Sequence, residues 1–220
     1  MVETPHDPVA AVAALDEPTR RRLYDYVVRQ PAPVGKDEAA TAVGVPRTTV
    51  AFHLDRLVAE GLLDAVHERR TGRTGPGAGR PAKLYRRSAH PIAVSLPENR
   101  YELIGTLLAD AVHESDASGE PARAVLHRRA RDLGHDLGRG HGDTLTALEE
   151  LGFEPRTEDR AIVLGNCPFH ALAQRHTELV CGANLCLLEG LLDGLADTGR
   201  TARLAPAPGH CCVRLEPAAD

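Results

Sequence analysis

The chain has 220 residues, 26 Lys+Arg against 31 Asp+Glu for a formal net charge of -5 at pH 7, 3% aromatic residues and 5 cysteines. No apolar run approaches the ~18 residues that cross a bilayer, and the opening MVETPHDP has neither the basic nor the apolar region of a secretory signal, so a cytoplasmic chain outside any membrane is expected. In that compartment five cysteines, an odd number, read as reduced or metal-bound thiols rather than a closed disulfide framework.

The charge is unevenly spread. Residues 1–90 hold 14 Arg/Lys against 11 Asp/Glu, and residues 91–220 hold 12 against 20. Arg69, Arg70, Arg73, Arg80, Lys83, Arg86 and Arg87 fall within 69–87, where there is no acid. A local basic footprint outweighs global charge in phosphate contact. The split points to two domains, 1–90 and 91–220, with different tasks.

The first predicted helix spans 17–29, capped by Asp16, with Pro18 in its first turn and Leu23, Tyr24 and Val27 as its apolar stripe. Pro31 and Pro33 follow it. A second helix, 36–43, closes on Gly44, which tolerates the left-handed conformation of a helix end. A third starts near Pro46. There Val50, Leu54, Leu57 and Val58 recur at helical spacing and face a core. That leaves Arg47, Thr48, Thr49, His53 and Arg56 outward, as side chains able to reach base edges and phosphates.

After Gly61, residues 62–69 read as a strand and 82–87 as its partner, around TGRTGPGAGRP. Glycine in such a loop lets backbone approach a phosphate, while Arg73, Arg80 and Lys83 supply charge for phosphate or narrow minor-groove contact. Recognition helix, strand, basic wing and strand is the order of a winged helix-turn-helix.

Residues 17–87 resemble the ArsR-type winged-helix regulators. The phrases TVAFHLDRLVAEGLL and GRPAKLYR are similar to those of the SufR-like repressors of iron–sulfur cluster assembly. The resemblance implies a homodimeric repressor that binds double-stranded DNA at an inverted-repeat operator.

The segment SAHPIAVSLPEN, with Pro91 and Pro97, reads as a linker. Helical spacing returns at 100–114, 120–137 and 143–151. Leu103, Leu107, Leu108 and Ala111 form one face, suited either to a dimer contact or to internal core. Residues 153–166 read as a hairpin, about 168–195 as helical, and 201–205 and 211–216 as strands. The fold class is therefore α+β: an N-terminal winged helix-turn-helix domain and a C-terminal α+β effector domain.

The cysteines lie in NCPFH, LVCGANLC and GHCCVRL. Thiolates suit zinc and iron–sulfur centres. Cys167 follows a strand and starts a helix, a position that lowers a thiol's pKa, and His170 lies three residues on. Cys167, Cys181 and Cys211, with His170 as fourth ligand, form the candidate metal site. Cys186 lies about 140° round a helix from Cys181 and reads as a small apolar residue. Cys211 and Cys212, as neighbours on a strand, are expected on opposite faces.

The order NCPF, LVC, CCVRL resembles the cluster-binding half of the SufR-like regulators, which implies an iron–sulfur cluster controlling operator affinity. The segment near TARL carries no cysteine, a departure from the four-cysteine pattern that leaves zinc as an alternative. A metal-free thiol switch and a small organic ligand also stay open. Catalysis by Cys167 with His170 has no orienting acid at suitable spacing, and no enzyme is expected.

Overall fold

The computed structural model describes residues 7–68 and 81–218. The chain divides into two compact units, 1–94 and 95–220.

In the first unit the elements are α1 (Pro8–Ala14), α2 (Pro18–Val28), β1 (Val34–Gly35), α3 (Lys36–Val43), α4 (Arg47–Ala59), β2 (Leu63–Glu68) and β3 (Ala82–Arg87). Glu17, not Asp16, caps α2: its carboxylate accepts from the Thr19 and Arg20 backbone N–H groups. Asp16 stands one residue too far from those orphan donors. Gly44 ends α3 at φ 70°, a conformation that glycine enters without a Cβ penalty. The strands pair antiparallel in the order β1-β3-β2. The β2–β3 ladder runs from Leu63↔Arg87 to Glu68↔Ala82, which fixes where the intervening basic segment leaves and returns. Leu23, Val27, Val50, Leu54, Leu57, Leu63 and Tyr85 form the buried core beneath the helices.

The second unit contains α5 (Tyr101–Ser118), α6 (Ala122–Arg139), α7 (Thr144–Glu150), β4 (Pro155–Glu158), β5 (Ala161–Leu164), α8 (His170–Arg175), α9 (Thr177–Gly194), β6 (Arg200–Leu204) and β7 (Val213–Pro217). Its sheet is antiparallel in the order β4-β5-β7-β6. The two units together make an α+β protein with an N-terminal helix-turn-helix and a C-terminal α+β region.

The helical stretch expected over 168–195 is two helices. His176, at φ -133° and ψ 51°, ends α8 and opens α9. The Leu107–Ala111 face of α5 is buried together with Ile104 in the unit's own core, where α5 packs on α6. The centre of that core is α6 against α9. Gly134 and Gly138 on α6, and Gly190 and Gly194 on α9, lie where a methyl group would strike the backbone of the facing helix. Spacing of four keeps each glycine pair on one face, so the two helices meet backbone to backbone.

Candidate nucleic-acid interface and cysteine centre

The outer face of α4 carries Arg47, Thr48, Phe52, Asp55 and Arg56, all exposed; Thr49 is half-buried. Arg47 pairs with Asp37 of α3, and Arg56 with Glu60 one turn on. The Arg47–Asp37 pair is solvent-exposed, of the class worth little to stability, whereas Arg56 is exposed but its partner Glu60 is largely buried.

His53 is not on this face. It is 9% exposed and belongs with Val50, Leu54 and Leu57 on the buried side. Its Nδ1 lies 3.5 Å from the Glu17 carboxylate that caps α2. The capping hydrogen bonds from Thr19 and Arg20, with the His53 charge when present, hold the Glu17 carboxyl below the usual carboxylate range even against its partial desolvation. His53 therefore sits on the inner side of α4, against the start of α2. The residue beside it, Phe52, is 67% exposed, and its ring meets that of His53 edge-on at 5.4 Å between centroids. Sequence reasoning passed over Phe52 because a phenylalanine counts toward a core. The pattern 50, 53, 54, 57 is the better i, i+3, i+4, i+7 series, and it turns position 52 outward.

Lys83 on β3 is exposed beside the wing segment and donates to Asp55 Oδ1 at 2.6 Å. The Tyr85 hydroxyl donates to the same oxygen at 2.8 Å. Burial together with Asp55 pushes the Tyr85 phenol well up, so it stays a donor. Asp55 is partly desolvated, but the Lys83 and Tyr85 bonds outweigh that and lower its carboxyl. Asp55 thus ties α4 to β3. Arg73 and Arg80 lie outside the described residues.

In the second unit, three separated segments supply two cysteine pairs. Cys167 follows β5, Cys181 lies in the first turns of α9, and Cys211 and Cys212 precede β7. The Cys211 backbone N–H donates to the Leu164 carbonyl at 2.9 Å, which places 211 beside the end of β5. The Cys211 thiol hydrogen-bonds to Cys167. That bond holds the Cys167 thiol below its ordinary value against the opposing effect of burial, with help from the Phe169 N–H. The same bond, then burial, pushes Cys211 far up. Cys181 and Cys212 are joined as a disulfide, Cα–Cα 6.3 Å.

Cys211 and Cys212 thus both face α9, Cys211 through Asn184 and Cys212 through Cys181. The strand alternation expected to separate them does not apply, because β7 begins only at Val213. Of the candidate ligands, Cys167 and Cys211 meet, whereas Cys181 is bonded to Cys212 instead. His170 does not: it is exposed, with Nε2 3.0 Å from Gln174 Nε2, because α8 turns its first residue toward solvent. Cys186 is half-buried, its thiol pushed up by burial and then by Glu189.

Among the described residues no group of three or more His, Cys, Asp or Glu is arranged to hold a metal ion, and no helix is long and apolar enough to cross a membrane. No curated protein and no solved structure matches the chain. The family model described as a helix-turn-helix domain matches residues 15–66, the stretch from the start of α2 into β2. Residues 15–66 are thus a helix-turn-helix domain, which supports a DNA-binding transcriptional regulator.

Proposed function

We propose that this protein is a homodimeric repressor whose affinity for an inverted-repeat DNA operator is set by an iron–sulfur cluster or metal ion at Cys167, Cys181, Cys211 and Cys212. The observation that supports the sensing half is that three segments of the second unit supply two cysteine pairs, Cys167 with Cys211 and Cys181 with Cys212.

The fit to a metal depends on redox state. With Cys181 bonded to Cys212, two of the four sulfurs are unavailable as thiolates. A dithiol reductant that delivers two electrons and two protons, and leaves as its own disulfide, frees both. Four thiols are the soft donor set that zinc and iron–sulfur clusters take. Buried Asn184 donates from its Nδ2 to Cys211 Sγ at 3.3 Å. The bound group would supply a charge and a covalent tie between the β5 end, α9 and the approach to β7. DNA contact falls to the first unit. Arg47, Arg56, Lys83 and the wing arginines Arg73 and Arg80 meet phosphates, while Thr48, Thr49 and Phe52 face base edges, where an apolar ring suits the thymine methyl.

A metal-free thiol switch is the second reading, favoured by the Cys181–Cys212 disulfide and the Cys167–Cys211 thiol pair beside it. Visible absorption with iron, sulfide and zinc analysis on anaerobically purified protein separates the two. Iron with sulfide, or zinc, lost on Cys181→Ser and on Cys212→Ser supports the metal centre. Metal-free protein whose thiols pair and unpair with dithiol treatment supports the switch and rejects the metal.

A further inference from the structure

Helix α5 buries Ile104, Leu107 and Ala111 in the second unit's core, yet a second apolar stripe runs beside that face. Tyr101, Gly105, Leu108 and Val112 recur at i, i+4, i+7 and i+11. That alternation of four and three keeps residues on one side of a helix and forms the seam between paired helices. Tyr101 is 39% exposed and Val112 55%. Leu108 is half-buried, and a Cβ at Gly105 would meet nothing within 4 Å. The polar groups along the stripe are also unengaged. Glu102, His113 and Asp116 are exposed, and neither they nor the Tyr101 hydroxyl has a side-chain hydrogen bond or ion pair among the described residues. By contrast Asp110 and Glu114, on the far flank of α5, are held by Arg128 and Arg129 of α6.

The order of the stripe is complementary to itself. When two copies of α5 lie antiparallel about a two-fold axis between residues 106 and 107, position 101 meets 112 and position 105 meets 108, and each contact occurs twice. Leu108 then lies opposite Gly105 of the second copy, large against small, and Tyr101 lies opposite Val112. A helical side chain leans toward the N-terminus of its own helix, which carries the Tyr101 phenol toward Asp116 of the second copy, one turn beyond Val112. At the edge of the seam Glu102 falls beside His113 of the second copy, a carboxylate against an imidazole. A parallel pairing would instead set Glu102 on Glu102 and Asp116 on Asp116, a juxtaposition of like charges that opposes association.

We propose that the exposed stripe of Tyr101, Gly105, Leu108 and Val112 is a docking surface for a second copy of this chain, the two α5 helices pairing antiparallel. The proposal rests on the homodimer reading and makes it specific, with the contact on the stripe beside the buried face of α5.

The test is sedimentation velocity of the full-length protein over a concentration series, for the wild type, Tyr101→Glu, Val112→Arg and an equimolar mixture of the two variants. Far-ultraviolet circular dichroism is recorded in parallel. Both positions are exposed, so each variant should keep the wild-type helical spectrum, and either alone tests the surface if the other does not fold. The expected result is a dimer for the wild type, a monomer for each variant at the same concentration, and a dimer again in the mixture. There the introduced acid and base face each other across one Tyr101–Val112 contact while the other contact stays native. Folded variants that remain dimeric would overturn the proposal and leave the homodimer reading intact. Monomeric variants that do not recombine would overturn the antiparallel pairing and the proposal with it. A wild type that is monomeric at every concentration overturns the homodimer reading as well, and that outcome is seen without any variant.

Discussion

At the residue scale, positions 52 and 53 have exchanged the roles their chemistry suggests. Histidine, a natural reader of base edges, is buried against Glu17, and phenylalanine faces out. His53→Ala should therefore act on stability: the first unit's unfolding shifts by roughly 1–2 kcal/mol, with the ranking of DNA sequences unchanged. Phe52→Ala should leave stability within about 0.5 kcal/mol and lose about 1 kcal/mol or more of discrimination at one base step. Selection of preferred duplexes with each variant, alongside thermal melts, reads both. A changed sequence ranking in His53→Ala would return that residue to the interface. Lys83→Ala should weaken binding to every duplex and reduce the slope of log affinity against log salt by about 0.9, measured by anisotropy across a salt series.

The same scale shows what the sequence leaves open at the cysteines. Cys167, Cys181 and Cys211 are singled out by chemistry and by their places at element ends, and the exclusion of Cys186 follows from its angle round a helix. Cys212 is hidden because alternation applies only inside a strand, and the start of β7 at Val213 cannot be read to one residue. His170 looks available from spacing alone; the direction of a six-residue helix decides otherwise.

At the element scale, the helix-turn-helix is legible almost to the residue, since α3, α4 and β3 are bounded by Gly44, Pro46 and the basic run. Two elements carry no such signal. Helix α1 is seven residues of alanine, valine and proline, and β1 is two residues fixed only by pairing with Tyr85 and Leu84. The break at His176 has no proline or glycine to announce it.

The α6–α9 contact is written in the sequence as four glycines, yet glycine inside a helix reads only as weakness, so its packing role emerges in three dimensions. Gly134→Ala and Gly190→Ala should each cost about 3 kcal/mol or more, since neither helix can yield to a methyl at its neighbour's carbonyl. Gly105→Ala on α5, with open space around it, should stabilise by about 0.5–1 kcal/mol. Denaturant melts of the three variants check the contrast; equal effects would mean that the helices are not in backbone contact.

The turn after α9 adds a pH dependence. Asp197, its side chain 14% exposed, accepts from Thr144 Oγ1 at 2.6 Å and from Arg200 at 2.6 Å. Burial works to raise its carboxyl, and those bonds bring it below 3.8. A carboxyl depressed on folding stabilises above its unfolded pKa and loses that contribution as pH falls through the folded value. The second unit should therefore weaken below about pH 4, and Asp197→Asn should flatten that decline. An unchanged acid limb in thermal melts between pH 2 and pH 6 would remove Asp197 from the account.

At the scale of the whole molecule, the charge asymmetry follows the division of labour. Residues 1–90 hold 14 Arg/Lys against 11 Asp/Glu, and the half with the cysteines holds 12 against 20. The helix-turn-helix match at residues 15–66 speaks for DNA binding. The proposal adds that the state of the cysteine centre is coupled to it, and such couplings typically amount to 1–3 kcal/mol.

The measurement that tests this most directly is an anisotropy titration at fixed salt. It uses a duplex obtained by in vitro selection, with the same anaerobic protein preparation in its metal-loaded, metal-free reduced and disulfide-oxidised states. The account predicts that affinity differs between states by about 5- to 150-fold and that Cys212→Ser abolishes the difference without abolishing binding. One unchanged Kd in all three states would contradict it, leaving a DNA-binding protein whose cysteines serve another end.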